Sequence, residues 1–204
     1  MTSRQRPVTV AQLALTLSQR PRRTLAGKGK SAAVLVPLVG PEDALQVLLT
    51  LRTDTVPTHK GQVAFPGGGV EEEDTDVMAT ALRELREELG ILPGAVDVLG
   101  LSDDTFSING QRVTPVVGWL ETLPDLTPSQ REIADVFTVP LRELMAPQSF
   151  YDQELETPGG RIRRVPFFHG GKHTIWGLTA WILKELFTVL DGMNRGENYL
   201  DNHR

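Results

Sequence analysis

The apolar positions of this chain fall into short runs separated by turn residues, and the spacing within each run predicts its element. Residues 8–17 carry Val10, Leu13 and Leu17 at helical spacing and predict a small leading helix. Residues 18–31 are basic and polar, contain Pro21, Gly27 and Gly29, and read as a connector. Residues 32–39 (AAVLVPLV) are apolar throughout and predict a buried strand. Pro37 marks that strand as an edge or a bulge, because proline cannot donate to a ladder. A turn over Gly40 to Asp43 leads into a second strand at 44–52 (ALQVLLTLR), and the pair predicts an antiparallel hairpin. A loop then leads into a short strand (QVAF), which Pro66-Gly67-Gly68-Gly69 ends.

A helix is expected from about Asp76 to Leu89, with Ala81, Leu82, Leu85 and Leu89 as its apolar stripe. Asp74, Thr75 or Asp76 can cap its start, and Gly90 suits its end. Strands follow at about 96–101 and 112–121, joined by the loop SDDTFSING. Residues 129–137 start a helix or a strand, and Pro140 to Leu144 a short helix. Residues 149–158 and 161–168 read as a late hairpin turning at Gly159-Gly160. Residues 175–191 predict an amphipathic helix with Trp176 and Trp181 in its core face, and the residues from Asn194 are polar and frayed. Strands therefore precede, flank and follow one central helix, and a long helix comes last. That order predicts an α/β sandwich with a mixed sheet, since the βαβα alternation of a doubly wound fold is missing. The expected division is a helix and connector over 1–31, one domain over 32–191, and a polar tail over 192–204.

Composition narrows the chemistry. The 204 residues suit a single domain, and a net charge of -5 without a basic face disfavours nucleic acid as a partner. An anionic small molecule would need a divalent cation or local Arg and Lys to manage its charge. The absence of cysteine excludes disulfides, thiolate metal sites and cysteine nucleophiles. Arg4 and Arg6 have no apolar stretch behind them, so no secretory signal is expected. No run approaches the roughly 20 apolar residues of a membrane span. A cytoplasmic protein without membrane contact is the expectation, with its oligomeric state open.

The central helix carries the candidate chemistry in Arg83-Glu84-Leu85-Arg86-Glu87-Glu88-Leu89-Gly90-Ile91. Glu84 and Glu88 stand four apart and share a face, where two like charges repel. A hard divalent cation such as Mg2+ or Mn2+ between them would turn that repulsion into ligation. Glu87 lies four after Arg83, so an orienting ion pair is available. Read alone, a helix rich in Glu and Arg is in most cases just a solvated face. The preceding Phe65-Pro66-Gly67-Gly68-Gly69 lets backbone approach the helix closely enough to touch a metal or a phosphate.

Together these residues resemble the box of the Nudix hydrolases: a glycine, five residues, Glu, seven residues, then Arg-Glu-aliphatic-x-Glu-Glu-x-Gly-aliphatic. Gly69 stands at the glycine and residues 83–91 match throughout, whereas Thr75 stands where the first Glu belongs. Glu71, Glu72, Glu73, Asp74 and Asp76 are the available electrostatic substitutes. Residues 48–68 (LLTLRTDTVPTHKGQVAFPGG) resemble the further signature of the coenzyme A pyrophosphatase branch. Leu48, Leu49, Thr50, Arg52, Gly61, Phe65, Pro66, Gly67 and Gly68 fit it, Thr53 departs mildly, and Pro57 replaces its second Arg.

The resemblance implies a Nudix-like α/β/α sandwich that hydrolyses the diphosphate bond of coenzyme A to 3',5'-ADP and 4'-phosphopantetheine, using Mg2+ or Mn2+. It implies Glu84 and Glu88 as metal ligands, with Glu87 sharing or orienting beside Arg83 and the Gly68 carbonyl near the ion. Glu132 is the candidate general base. Arg52 meets either a substrate phosphate or the box helix. His59 and Lys60 are candidates for the 3'-phosphate, with Gly67 and Gly68 at the diphosphate. Phe106 and Phe167 are candidates to flank an adenine. Other nucleoside diphosphate derivatives such as ADP-ribose, and a ligand sensor without catalysis, are the alternatives.

Overall fold

In the computed structural model, which describes residues 9–26, 30–54, 60–156, 160 and 162–195, the apolar run after the connector becomes the central strand. The elements in chain order are α1 (Val10–Gln19), β1 (Ser31–Val39), β2 (Gln46–Arg52), β3 (Val63–Ala64), β4 (Gly67–Gly69) and α2 (Val77–Leu89). There follow β5 (Asp97–Leu101), β6 (Thr105–Phe106), β7 (Arg112–Leu120), β8 (Ile133–Pro140), α3 (Leu141–Leu144), β9 (Phe150–Glu156), β10 (Ile162–Gly170), β11 (His173–Trp176) and α4 (Leu178–Arg195).

β1 pairs in parallel with β7 along its whole length, from Ser31 opposite Arg112 to Val39 opposite Leu120. The remaining pairings are antiparallel, so the sheet is mixed. On its other side β1 meets β2 only at Leu38 and Val39, and β4 at Ala32 to Val34. Val47 of β2 pairs with Leu38 on one edge, while Thr50 pairs with Ala64 of β3. β8 lies against both Val47 and Thr50. β1 and β2 therefore part, and β3 and β4 fill the wedge between them. Pro37 is not at an edge of the sheet, contrary to the sequence expectation. It falls between the β4 and β2 pairings, where a missing donor is tolerated.

Residues alternate between two faces, as strand geometry requires. Ala33, Leu35, Leu48 and Val116 pack with Ala81, Leu85 and Leu89 of α2. Val36, Leu38, Val47 and Leu49 pack with Leu13 and Leu17 of α1 and with Leu183, Leu186 and Leu190 of α4. The sheet is thus sandwiched between helices. β9, β10 and β11 form a second antiparallel sheet. Among the described residues no helix is long and apolar enough to cross a membrane.

Two expectations need correction. The last helix begins at Leu178, because Ile175 and Trp176 pair with Phe168 and Phe167 as strand β11, and Gly177 then turns the chain at φ 68°. Trp176 and Trp181 are also 36% and 41% exposed, so neither is a core residue. Residues 129–137 resolve in favour of a strand, β8. The late hairpin forms, although Gly159 of its expected turn lies outside the described residues.

The connector after α1 is strapped to the loop between β5 and β6. Arg20 bonds Asp103 at 2.8 Å, Arg22 pairs with Asp104, and Arg22 Nε donates to the Ser102 carbonyl at 2.8 Å. Burial alone would raise the Asp104 carboxyl, but the Thr114 hydroxyl, the Leu25 N–H and Arg22 hold it below the usual carboxylate range. A depressed folded-state value means the stabilisation is complete above the ordinary aspartate value and is lost as pH falls below about 4. We expect Asp104→Asn to lower stability by about 1.5–3 kcal/mol at pH 7, the range for hydrogen bonds to a charged group. Urea titrations across pH 3 to 7 should show the loss shrinking toward the acid end, and a loss independent of pH would refute the assignment.

Candidate active site

Local chemistry sets α2 at a fixed angle. Asp76 caps its start by accepting from the Ala79 N–H at 2.8 Å, and Gly90 closes its end in the left-handed region at φ 76°. With Ala81, Leu85 and Leu89 buried in the sheet, Glu84 and Glu88 turn toward β4 on the flank of the buried stripe. Glu87 lies farther round and is exposed.

The glycine strand touches this helix directly. A Cβ on Gly68 would stand 2.3 Å from Glu84 Oε1, and one on Gly67 would stand 2.4 Å from the Ala33 carbonyl. The clash at Gly67 is with backbone, so that position requires glycine, whereas a side chain at Gly68 would displace the Glu84 carboxylate. Gly69 has open space around its Cβ position, so sterics do not demand glycine there.

Arg83 ties the pieces together. Its Nε and Nη2 grip Asp74 at 3.0 Å each, Nη2 also donates to the Gly69 carbonyl at 2.9 Å, and Nη1 reaches Glu84 at 3.0 Å and Glu87 at 3.3 Å. Asp74 also accepts from the Thr80 hydroxyl and the Glu71 N–H. The Arg83 guanidinium beside it holds the Asp74 carboxyl well below the usual range. Asp74 thus provides the carboxylate that Thr75, at the next position and exposed, cannot. Sequence reasoning grouped Asp74 with four acidic neighbours; its distance in sequence from Arg83 gave no periodic signal.

Glu88 is the most unusual acid of the site. It is 3% exposed, its Oε1 meets Arg52 Nη1 at 3.4 Å, and its Oε2 is buried without a hydrogen-bond partner among the described residues. Burial, reinforced by the charges of Glu84 and Glu132 and opposed by Arg52, pushes its carboxyl up to about 8. Burial likewise raises Glu84, with Arg83 opposing and Glu87 and Glu132 adding. Glu132 sits in the turn before β8, half exposed, 3.9 Å from Arg52 Nη2. Its carbonyl accepts from the Thr53 N–H at 2.8 Å, which fixes the turn to the end of β2.

The structure thus brings Arg52, Gly67, Gly68, Glu84, Glu88 and Glu132 into one cluster, with Arg83 and Glu87 along its helical side. Lys60 is exposed and makes no ion pair among the described residues. His59 and Pro57 lie outside them. Phe106, on β6, and Phe167, on β10, stand in different sheets; Phe167 stacks instead with Tyr151 and Trp176. Among the described residues no three acidic or histidine side chains converge as a ready-made metal cage. Each of two arginines bridges a pair of acids, Arg83 joining Glu84 and Glu87 and Arg52 joining Glu88 and Glu132. We expect Asp74→Asn to destabilise the fold by about 1.5–3 kcal/mol, as for other charge-assisted contacts. Chemical denaturation measures this, and a change below about 0.5 kcal/mol, the scale of a surface substitution, would contradict the role of Asp74.

Comparison with known proteins agrees with this architecture. The NUDIX domain family model matches residues 29–162. The uncharacterized Nudix hydrolase NudL of Cronobacter sakazakii is 43% identical over 160 residues, covering 77% of this chain and 81% of that protein. Its namesake in Photorhabdus laumondii is 40% identical over 178 residues, covering 87% and 93%. The crystal structure of a MutT/nudix family protein from Enterococcus faecalis superposes with a TM-score of 0.50 at 18% identity, covering 95% of this chain and 76% of that one. That likeness shows the fold. A box helix whose acids are gripped by arginines and faced by a glycine strand, on a chain matched in this way, belongs to the Nudix hydrolase family.

Proposed function

We propose that this Nudix hydrolase cleaves the diphosphate bond of coenzyme A, or of its derivatives, to 3',5'-ADP and 4'-phosphopantetheine. The observation that carries the reading is the behaviour of the segment from Leu48 to Gly68. Leu48, Leu49 and Phe65 of its signature are buried, Arg52 reaches Glu88, Gly68 closely approaches Glu84, and Gly67 packs tightly on β1. The residues that resemble a coenzyme A signature are thus those that shape the cluster. The catalytic domain would span residues 32–191, and a chain without cysteine acting on this cofactor suits the cytoplasm.

The cluster fits a divalent cation. Glu88 Oε2 is buried and unpartnered among the described residues, the donors are carboxylate oxygens, and burial raises Glu88 and Glu84. Glu84 and Glu88 would hold Mg2+ or Mn2+, with Glu87 sharing or orienting and the Gly68 carbonyl adjacent. When bound, the cation neutralises phosphate charge and acidifies water. The chain's own residues do the rest. Arg83 fixes Glu84 and Glu87 in place. Arg52, whose Nε is buried without a partner among the described residues, turns from Glu88 to a phosphate oxygen. Glu132, exposed enough to meet solvent, takes the proton of the attacking water. The Gly67 and Gly68 backbone lies along the diphosphate, and His59 and Lys60 are the candidates for a further substrate phosphate. Hydrolysis of another nucleoside diphosphate derivative such as ADP-ribose is the second reading, favoured by Pro57 in place of the signature's second Arg.

Mass analysis of the products of coenzyme A in 18O-labelled water with Mg2+ or Mn2+ tests the proposal. We expect 3',5'-ADP and 4'-phosphopantetheine, with the label in one of them. A large preference for ADP-ribose would overturn it. Glu84→Gln and Glu88→Gln should each lower kcat at least about 100-fold, the upper end for groups that merely support a metal site. Unchanged turnover in both would exclude the box as the catalytic centre.

A further inference from the structure

Glu132 is held loosely for a group that has to move a proton. Its carboxylate is half exposed, and Arg52 Nη2, the cation beside it, stands 3.9 Å away, beyond hydrogen-bond range. Among the described residues no side chain hydrogen-bonds it. A general base must come within about 3 Å of the group whose proton it takes. Its placement therefore has to come from the backbone of the turn that carries it.

That turn is tied to both halves of the cluster. On one side it sits on the end of α2, where the Thr127 N–H donates to the Leu89 carbonyl at 2.9 Å and the Ser129 N–H to the Glu88 carbonyl at 2.8 Å. The Ser129 carbonyl in turn accepts from the N–H groups of Glu132 at 2.9 Å and Ile133 at 2.8 Å. On the other side the turn meets Thr53, the residue after Arg52. The Thr53 N–H donates to the Glu132 carbonyl at 2.8 Å, and its hydroxyl donates to the Arg131 carbonyl at 2.9 Å. These two carbonyls belong to the peptides on either side of the Glu132 Cα. Holding both fixes the direction in which the Glu132 side chain leaves the backbone, and not only its distance from β2.

The sheet is bent to make this contact. Leu51 lies opposite Asp135 and Arg52 opposite Ile133, which leaves Ala134 as an extra residue of β8. Strict alternation would put Ile133 and Val136 on opposite faces, yet both join the apolar group beneath α2. A bulge of this kind re-aims the strand end. Here it sets Ile133 against Arg52 on the side of α2 and hands the preceding turn to Thr53. We infer that Thr53 is a positioning residue for Glu132: by holding the Arg131 carbonyl, its hydroxyl sets where the Glu132 carboxylate stands relative to Arg52 and Glu88. The inference rests on the reading of Glu132 as the group that takes the proton of the attacking water, and not on which diphosphate is cleaved.

Steady-state rates of Thr53→Val, Thr53→Ser, Glu132→Gln and the double variant Thr53→Val/Glu132→Gln test it, with Mg2+, on coenzyme A and in parallel on ADP-ribose. Thr53→Val keeps the N–H and loses the hydroxyl. It should lower kcat about tenfold, within the roughly 100-fold that a small misplacement can cost, with KM changed less than about twofold. Thr53→Ser should restore the rate. Glu132→Gln should lower kcat at least about 100-fold, the lower end for a general base, and in that background Thr53→Val should have no further effect. The same loss in both backgrounds would overturn the inference, as would an unchanged kcat in Thr53→Val or an equal loss in Thr53→Ser. Amide hydrogen exchange gives a readout independent of substrate: the Glu132 and Ile133 N–H groups should exchange faster in Thr53→Val than in Thr53→Ser, and equal rates would overturn the clamp. An unchanged kcat in Glu132→Gln would instead overturn the assignment of the base, and turnover of ADP-ribose alone would overturn only the substrate.

Discussion

Where β1 leaves β2, both strands would expose a row of unpaired N–H and C=O groups inside the fold. The chain fills that wedge with its own next segment. β3 completes the edge of β2, β4 completes the edge of β1, and the Leu35 N–H bonds the Pro66 carbonyl between them at 2.8 Å. The glycines are thereby pinned by backbone pairing, and α2 is pinned over them by Leu85 and Leu89. The acids of α2 meet the glycine backbone because two different parts of the sheet hold each in place. Neither the helix nor the loop could set that contact alone.

Electrostatics runs against this geometry. Glu84, Glu88 and Glu132 share a small, partly buried space, where burial, reinforced by neighbouring carboxylate charge, raises the first two. Two guanidiniums relieve it from opposite sides, Arg83 along the helix and Arg52 from the end of β2. Acids that are costly to bury and incompletely satisfied are what a cation-dependent site requires, since full satisfaction by the protein would leave nothing for a ligand to gain. Stability is given up at Glu88 and recovered at Asp74, where the ion pair with Arg83 is bidentate.

Much of this was legible in the sequence for a simple reason. α2 is defined by local rules, a cap at Asp76, a stripe through Leu85 and a glycine at 90, and its acids follow from the helical repeat. The strands of the central sheet were legible as apolar runs, but not the parting of β1 from β2, which depends on pairing. Pro37 signals an interrupted ladder, and only the topology tells an edge from a gap within the sheet. Residues 175–176 are apolar and continuous with the helix after them, so periodicity could not separate the strand from it. The strap of Arg20 and Arg22 on Asp103 and Asp104 joins positions more than 80 apart in sequence. No local pattern encodes such a contact.

The parallel pairing of β1 with β7 has a consequence for how the molecule comes into being. Ser31 and Arg112, 81 residues apart, stand side by side at one end of that ladder. During synthesis the box helix and the glycine strand emerge well before β7, the parallel partner of β1, and before β8, which completes the sheet on β2. Loop closure over that separation must precede any reward from the ladder, so folding of this domain is expected to be slow for its size. The conflict among Glu84, Glu88 and Glu132 arises only when β8 docks on β2 and brings Glu132 in.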